Sequence, residues 1–155
     1  MRHHYARGLT LIEILVVVVI LAIISIFSIN ALMASGNTQA LDKDVKGIIA
    51  VLDQARSNTL TSQGNSQYGV HFEADKVVLF KGTTYSSSDS NNRDAGLSGQ
   101  TTLSSISLSG GAVNVVFARL TGKPNVTGTI TVQSERQSTL TKTITIYATG
   151  ISEEN

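Results

Sequence analysis

The sequence predicts an α+β chain in which a long N-terminal helix leads into a β-rich head, and three observations predict it. An apolar run covers residues 9–32. A second stretch, 41–55, carries apolar residues at helical spacing, and after Gly64 the pattern changes to short alternating segments separated by turn residues. The 155 residues divide into a basic segment (1–8), an apolar helix (9–32), an amphipathic helix continuing it (33–63) and one head (64–155). No cysteine is present, so disulfides and Cys-based metal or redox sites are excluded. The formal charge of +1 gives no global argument for nucleic-acid binding.

The apolar run is long enough to span a bilayer, since about 20 helical residues cover the ~30 Å hydrocarbon core. Arg2 and Arg7 precede it with no acidic residue nearby, so the positive-inside rule keeps the N-terminus in the cytoplasm and sends the head across. Glu13 is the residue that needs explaining, because a charge at the centre of a membrane helix costs roughly 2.5–3.5 kcal/mol on insertion scales. A secretory signal peptide would have a shorter apolar core and a better cleavage site than Ala34-Ser35-Gly36. A plain single-pass anchor fits the length and orientation, yet gives no reason for Glu13 or for Gly8 at the boundary.

The run Gly8-Leu9-Thr10-Leu11-Ile12-Glu13, behind a short basic segment, resembles the class III signal of type IV pilins and type II secretion pseudopilins. The resemblance covers about the first 30 residues. It implies a leader removed by a membrane-embedded prepilin peptidase between Gly8 and Leu9, N-methylation of Leu9, and Glu13 as the fifth mature residue, acting in subunit assembly. An ammonium on Leu9 and the Glu13 carboxylate are both poorly solvated in lipid, so pairing between neighbouring subunits would set register. Leu9 stands where Phe is commonest in that family, and no proline interrupts the later part of the apolar helix.

In the amphipathic segment Leu41, Val45, Ile48, Ile49, Leu52 and Ala55 form one stripe, with Asp42, Asp44, Lys46, Asp53 and Arg56 mostly on other faces. The helix is expected to end near Thr61-Ser62-Gln63-Gly64. Residues 68–72 and 76–80 flank Ala74-Asp75 and read as a hairpin. The polar stretch 82–100 has no periodicity and reads as a long exposed loop. Further strands are expected at 103–108, 112–118, 129–134 and 142–148, the last two joined by Glu135-Arg136-Gln137-Ser138.

A second resemblance lies in the head. Val115-Val116-Phe117, Gly122-Lys123-Pro124, Gly128-Thr129-Ile130-Thr131-Val132 and the closing run Thr143 to Ile151 are similar to the minor pseudopilin H and FimT group. This resemblance implies two packed antiparallel sheets and a minor subunit. Some members of that group bind DNA through a basic Gly-Arg-x-Arg motif after the last strand. Here the corresponding run is Gly150-Ile151-Ser152-Glu153-Glu154, acidic where phosphates need cations, so nucleic acid is not an expected partner.

No catalytic constellation, metal site or cofactor site is expected. Gly122-Lys123 ends like a phosphate loop, but Phe117 stands where the first glycine is needed and the context is strand to turn to strand. His71 alternates with Val70 and Phe72 and reads as a surface or lightly buried residue. Arg119, Lys123, Arg136 and Lys142 read as solvated cations rather than a patch. The expected function is structural: a non-enzymatic prepilin of the inner membrane, incorporated into a pilus or pseudopilus. Its expected partners are a prepilin peptidase and methyltransferase, other pilin subunits, an inner-membrane assembly platform and lipid. A filament-tip binding module and a membrane-tethered head that never polymerises are the alternatives.

Overall fold

The structure, a computed structural model, describes residues 10–155 and, for residues 26–34, the backbone alone. It is α+β. Helix α1, Leu11–Leu60, is followed by strands β1 (Tyr68–Phe72), β2 (Lys76–Lys81), β3 (Arg93–Gly96), β4 (Thr101–Leu108), β5 (Asn114–Val116), β6 (Gly128–Ser134), β7 (Thr141–Ile146) and β8 (Ser152–Glu154). The chain forms two compact units that divide after Gly36, and α1 contributes to both.

The second unit is organised by the α1 stripe. Leu41, Val45, Ile48, Leu52 and Ala55 recur every three or four residues and are all buried, with Ile49 partly buried beside them. They share one core with two antiparallel sheets, ordered β3-β2-β1-β5 and β4-β6-β7-β8. The first sheet contributes Val70, Phe72, Val77 and Leu79 to that core, and the second contributes Ile130, Val132, Ile144 and Ile146. Period-2 alternation turns these residues inward; Ile130 lies opposite Ile144 across the β6–β7 pair.

Polar side chains of α1 fasten the surrounding loops. Thr59 Oγ1 donates to the Ala55 carbonyl (2.8 Å) and accepts the Tyr68 N–H (2.9 Å), which ties the start of β1 to the end of the helix. Asp44, only 7% exposed, accepts three hydrogen bonds at Oδ2: from Ser98 N–H (3.1 Å), Ser98 Oγ (2.6 Å) and Thr101 Oγ1 (2.5 Å). Arg56 donates to the carbonyls of Gly122 (3.3 Å) and Thr149 (3.4 Å). The two turns it joins are in close contact, since a Cβ on Gly150 (φ +83°) would stand 2.2 Å from the Gly122 oxygen.

Several expectations need correction. The stretch 82–100 is not one exposed loop: it contains β3, which pairs with β2 from Lys76↔Gly96 to Leu79↔Arg93. Its first part also folds over the outer face of the first sheet, where Tyr85 stacks on His71 at 3.8 Å and meets Phe80 edge-on at 5.6 Å. The strand expected at 112–118 is shortened to β5, with Phe117 making only a single bridge to Pro124. The strand expected at 142–148 stops at Ile146, where a turn closed by Gly150 N–H donating to Tyr147 O (2.9 Å) returns the chain as β8. Helix α1 ends at Leu60, just before the expected signal.

Among the described residues no helix is long and apolar enough to cross a membrane, so the span expected over 9–32 finds no support there. The N-terminal stretch whose side chains are described ends at Ser25, about 15 residues into the helix. That is about 22 Å of rise against a hydrocarbon core of ~30 Å.

Candidate functional site

Three residues carry the sequence-based site: Gly8, Leu9 and Glu13. Gly8 and Leu9 lie outside the described residues. Glu13 sits in the first turn of α1 and is exposed. Its N–H donates to Thr10 Oγ1 (3.3 Å) and to the Thr10 carbonyl (3.1 Å), and the Ile14 N–H also reaches the Thr10 carbonyl (3.3 Å). Thr10 is therefore the N-cap, and its hydroxyl satisfies one of the four donors that every helix start leaves unpaired.

Glu13 is the third residue inside the helix, so Thr10-Leu11-Ile12-Glu13 has the Thr-x-x-Glu spacing of a capping box. The sequence reading treated Glu13 only as a carboxylate in an apolar run and missed this local role, although the spacing announces it. A negative charge in the first turn also complements the positive end of the helix dipole. The residue that sequence reasoning assigned to assembly is thus also placed to define where the helix begins.

Beyond the cap, the helix surface is apolar on every side. Leu11 is 85% exposed and Ile12 63%, and the large apolar residues from Ile14 to Ile24 are each roughly half exposed. A helix that is hydrophobic all round belongs in lipid or among other helices. Each such side chain gains about 1.5–3 kcal/mol when it is fully removed from water. Ser25 does not break the pattern, because its hydroxyl bonds back to the Leu21 carbonyl at 2.7 Å.

Among the described residues no group of His, Cys, Asp and Glu could hold a metal ion. His71 lies on the outer face of β1 while Val70 and Phe72 enter the core. Its Nδ1 is 2.5 Å from Asn114 Oδ1 and its Nε2 3.3 Å from Glu73 Oε1, and Lys76 pairs with the other Glu73 oxygen at 3.4 Å. This network pins Tyr85 and its loop; Tyr85 Oη reaches Glu73 at 3.5 Å.

Of the four cations singled out in the sequence, Arg119 and Lys123 belong to one turn, closed by Ala118 N–H donating to the Lys123 carbonyl (2.8 Å), while Arg136 and Lys142 lie elsewhere. Arg119 donates to Asn65 Oδ1 (2.8 Å), and Lys142 bridges Asp42 (2.5 Å) and Glu154. Arg136 lies in the β6–β7 turn, at the end of that pair opposite the turn that holds Gly150. The hydrogen bond from Lys142 holds the Asp42 carboxyl below the usual carboxylate range, and Asp42 and then Glu154 raise the Lys142 ammonium above the usual lysine value.

The described N-terminal stretch is thus a capped helix with an all-round apolar surface and a first-turn carboxylate, and the second unit is a two-sheet head with a closed core. Residues 3–29 match the family model described as the prokaryotic N-terminal methylation motif. That is the signal of prepilin-type pilin and pseudopilin subunits; it implies a prepilin peptidase and other pilin subunits as partners and is consistent with association with a membrane and a pilus. No curated protein and no solved structure matches the chain.

Proposed function

We propose that the chain is a prepilin, cut between Gly8 and Leu9, N-methylated at Leu9 and built into a type IV pilus or type II secretion pseudopilus as a minor subunit. The observation that carries this reading is the capped first turn, Thr10 to Glu13, at the head of an apolar helix surface and inside the matched methylation motif. Residues 9–32, which extend beyond those with described side chains, are read as the inner-membrane anchor, with Arg2 and Arg7 cytoplasmic and the head outside. The minor-subunit assignment rests on the head's resemblance to the pseudopilin H and FimT group and is supported by the two-sheet architecture.

The cap gives Glu13 a physical role in assembly. Side chains on a helix lean toward its N-terminus, so the Glu13 carboxylate is directed to the end where cleavage would leave an ammonium on Leu9. In an array of parallel subunits, the carboxylate of one chain meets the ammonium of the next, and two ions that are poorly solvated alone are stabilised only in that register. An assembly platform in the membrane would present the subunits to one another, and lipid would hold them until then.

Intact mass and N-terminal sequencing of the chain co-expressed with a prepilin peptidase test this reading. The expected product begins at Leu9 and carries one added methyl group. A chain still beginning at Met1, with the peptidase active on a control substrate, overturns it and leaves a membrane-tethered head.

A further inference from the structure

The head holds a polar cleft of about 210 Å³ where the end of α1, the turn after it, β2 and β3 converge. Gln54 and Asn58 of α1, Gln63 of the turn and Asn91 of the following loop bring four carboxamides to its wall. Lys81 of β2 and Arg93 of β3 add two cations. Among the described residues neither cation has a carboxylate within ion-pair distance, and the side chains of Gln54, Asn58 and Gln63 make no hydrogen bond. Asp89 feels the Lys81 charge, but its Oδ1 is occupied by the backbone N–H and the Nδ2 of Asn91, both at 2.8 Å. Lys81 therefore has one carboxylate in its neighbourhood, and one oxygen of that carboxylate is already engaged.

The turn beside the cleft is shaped around Lys81. A Cβ on Gly64 (φ +58°) would stand 2.8 Å from Lys81 Nζ and 3.8 Å from Tyr68 Oη, so the ammonium lies over bare backbone next to the tyrosine hydroxyl. On either side Ser62 (φ 52°) and Asn65 (φ 53°) also hold left-handed conformations, which non-glycine residues adopt at a cost.

From this arrangement we infer that the cleft binds a carboxylate-bearing sugar of the uronic-acid class. Lys81 and Arg93 match one carboxylate through charge-assisted hydrogen bonds. The carboxamides and the tyrosine hydroxyl both donate and accept, which suits ring hydroxyls that do the same. A phosphate would satisfy the cations but offers the carboxamides fewer hydroxyl groups than a sugar ring does. Tyr68, partly buried, lines the cleft as well. The volume lies below the roughly 300–1,000 Å³ of pockets for drug-sized ligands and so fits a single ring. The site belongs to the head and does not depend on processing of the N-terminal segment.

The test is a titration of the ¹⁵N-labelled full chain in detergent micelles with D-glucuronate, followed at the side-chain amides of Gln54, Asn58 and Gln63. Saturable shifts are expected with glucuronate, with D-glucose, acetate and inorganic phosphate each at least about ten-fold weaker. Lys81→Met and, separately, the exposed-residue change Arg93→Gln are expected to weaken glucuronate at least about ten-fold at an unchanged unfolding midpoint. Absence of a saturable shift at on the order of 50 mM glucuronate overturns the proposal, since that concentration reaches ordinary monosaccharide affinities. Acetate or phosphate binding as tightly as glucuronate overturns the sugar assignment, and binding that survives both substitutions overturns the site.

Discussion

The two parts of α1 use the same backbone geometry toward opposite ends. From Leu41 to Ala55 the apolar residues fall on one stripe, and that stripe is buried against two sheets, whereas from Leu11 to Ile24 they occupy every face and remain exposed. Apolar content alone does not tell a helix where to go. Periodicity does: a one-sided helix completes its own domain, and an all-sided one is suited to lipid or to other helices.

Breaking the exposed part is expected to have the largest effect, and on assembly alone. Glu13→Val should reduce filament incorporation by about a hundredfold or more, because an ammonium left without its desolvated partner costs about 3–5 kcal/mol. Counting incorporated subunits by immunoblot of sheared filaments, with the unfolding midpoint of the head as control, checks this; normal incorporation would sink the pairing argument.

Breaking the buried part should do the reverse. Phe117, fully buried at the core, should lose about 3–5 kcal/mol of head stability on change to Ala. Val18→Ala, on the exposed segment, should leave it within about 0.5 kcal/mol. Denaturant unfolding followed by tyrosine signals separates the two, and equal losses would contradict the contrast between the regions.

A sharper test lies where α1 holds the loop before β4. Asp44→Ala removes the acceptor of three hydrogen bonds and should cost about 2–3 kcal/mol, with faster amide exchange at Ser98. Unchanged exchange there would show that the loop is held by other contacts.

The smallest effect belongs to the Lys142 bridge, which is part-exposed and screened by solvent. The Asp42 carboxyl is lowered, so its contribution is present above the unfolded carboxylate value of about 3.9 and is lost as pH falls through the native value. The Lys142 ammonium is raised, so its contribution is present below the unfolded value of about 10.4 and is lost as pH rises through the native value. Lys142→Met should flatten both limbs of the stability–pH curve and change the neutral region least.

The elements that were legible in the sequence are those whose own side chains are buried. The α1 stripe and the β1–β2 hairpin follow from spacing, because Val70, Phe72, Val77 and Leu79 must reach one core. Arg93-Asp94-Ala95-Gly96 has no apolar alternation, and it is a strand because the edge of β2 offers it hydrogen bonds. Ser152-Glu153-Glu154 becomes a strand in the same way, against Ile144 to Ile146. For the site, Gly8, Leu9 and Glu13 are legible because the motif that contains them is contiguous in sequence. The cleft at Lys81 is not, since its walls come from positions 54 to 93 and meet only in three dimensions.

The contacts that fasten α1 to the head have a mechanical meaning. Asp42, Asp44, Arg56 and Thr59 are spread along the helix and grip β7, the loop before β4, two turns and the start of β1. A load on this part of α1 is therefore shared among contacts at four positions of the helix. Displacing residues 42–59 from the sheets would break the contacts to β7, the loop before β4, two turns and the start of β1, so this part of α1 and the head form one mechanical unit.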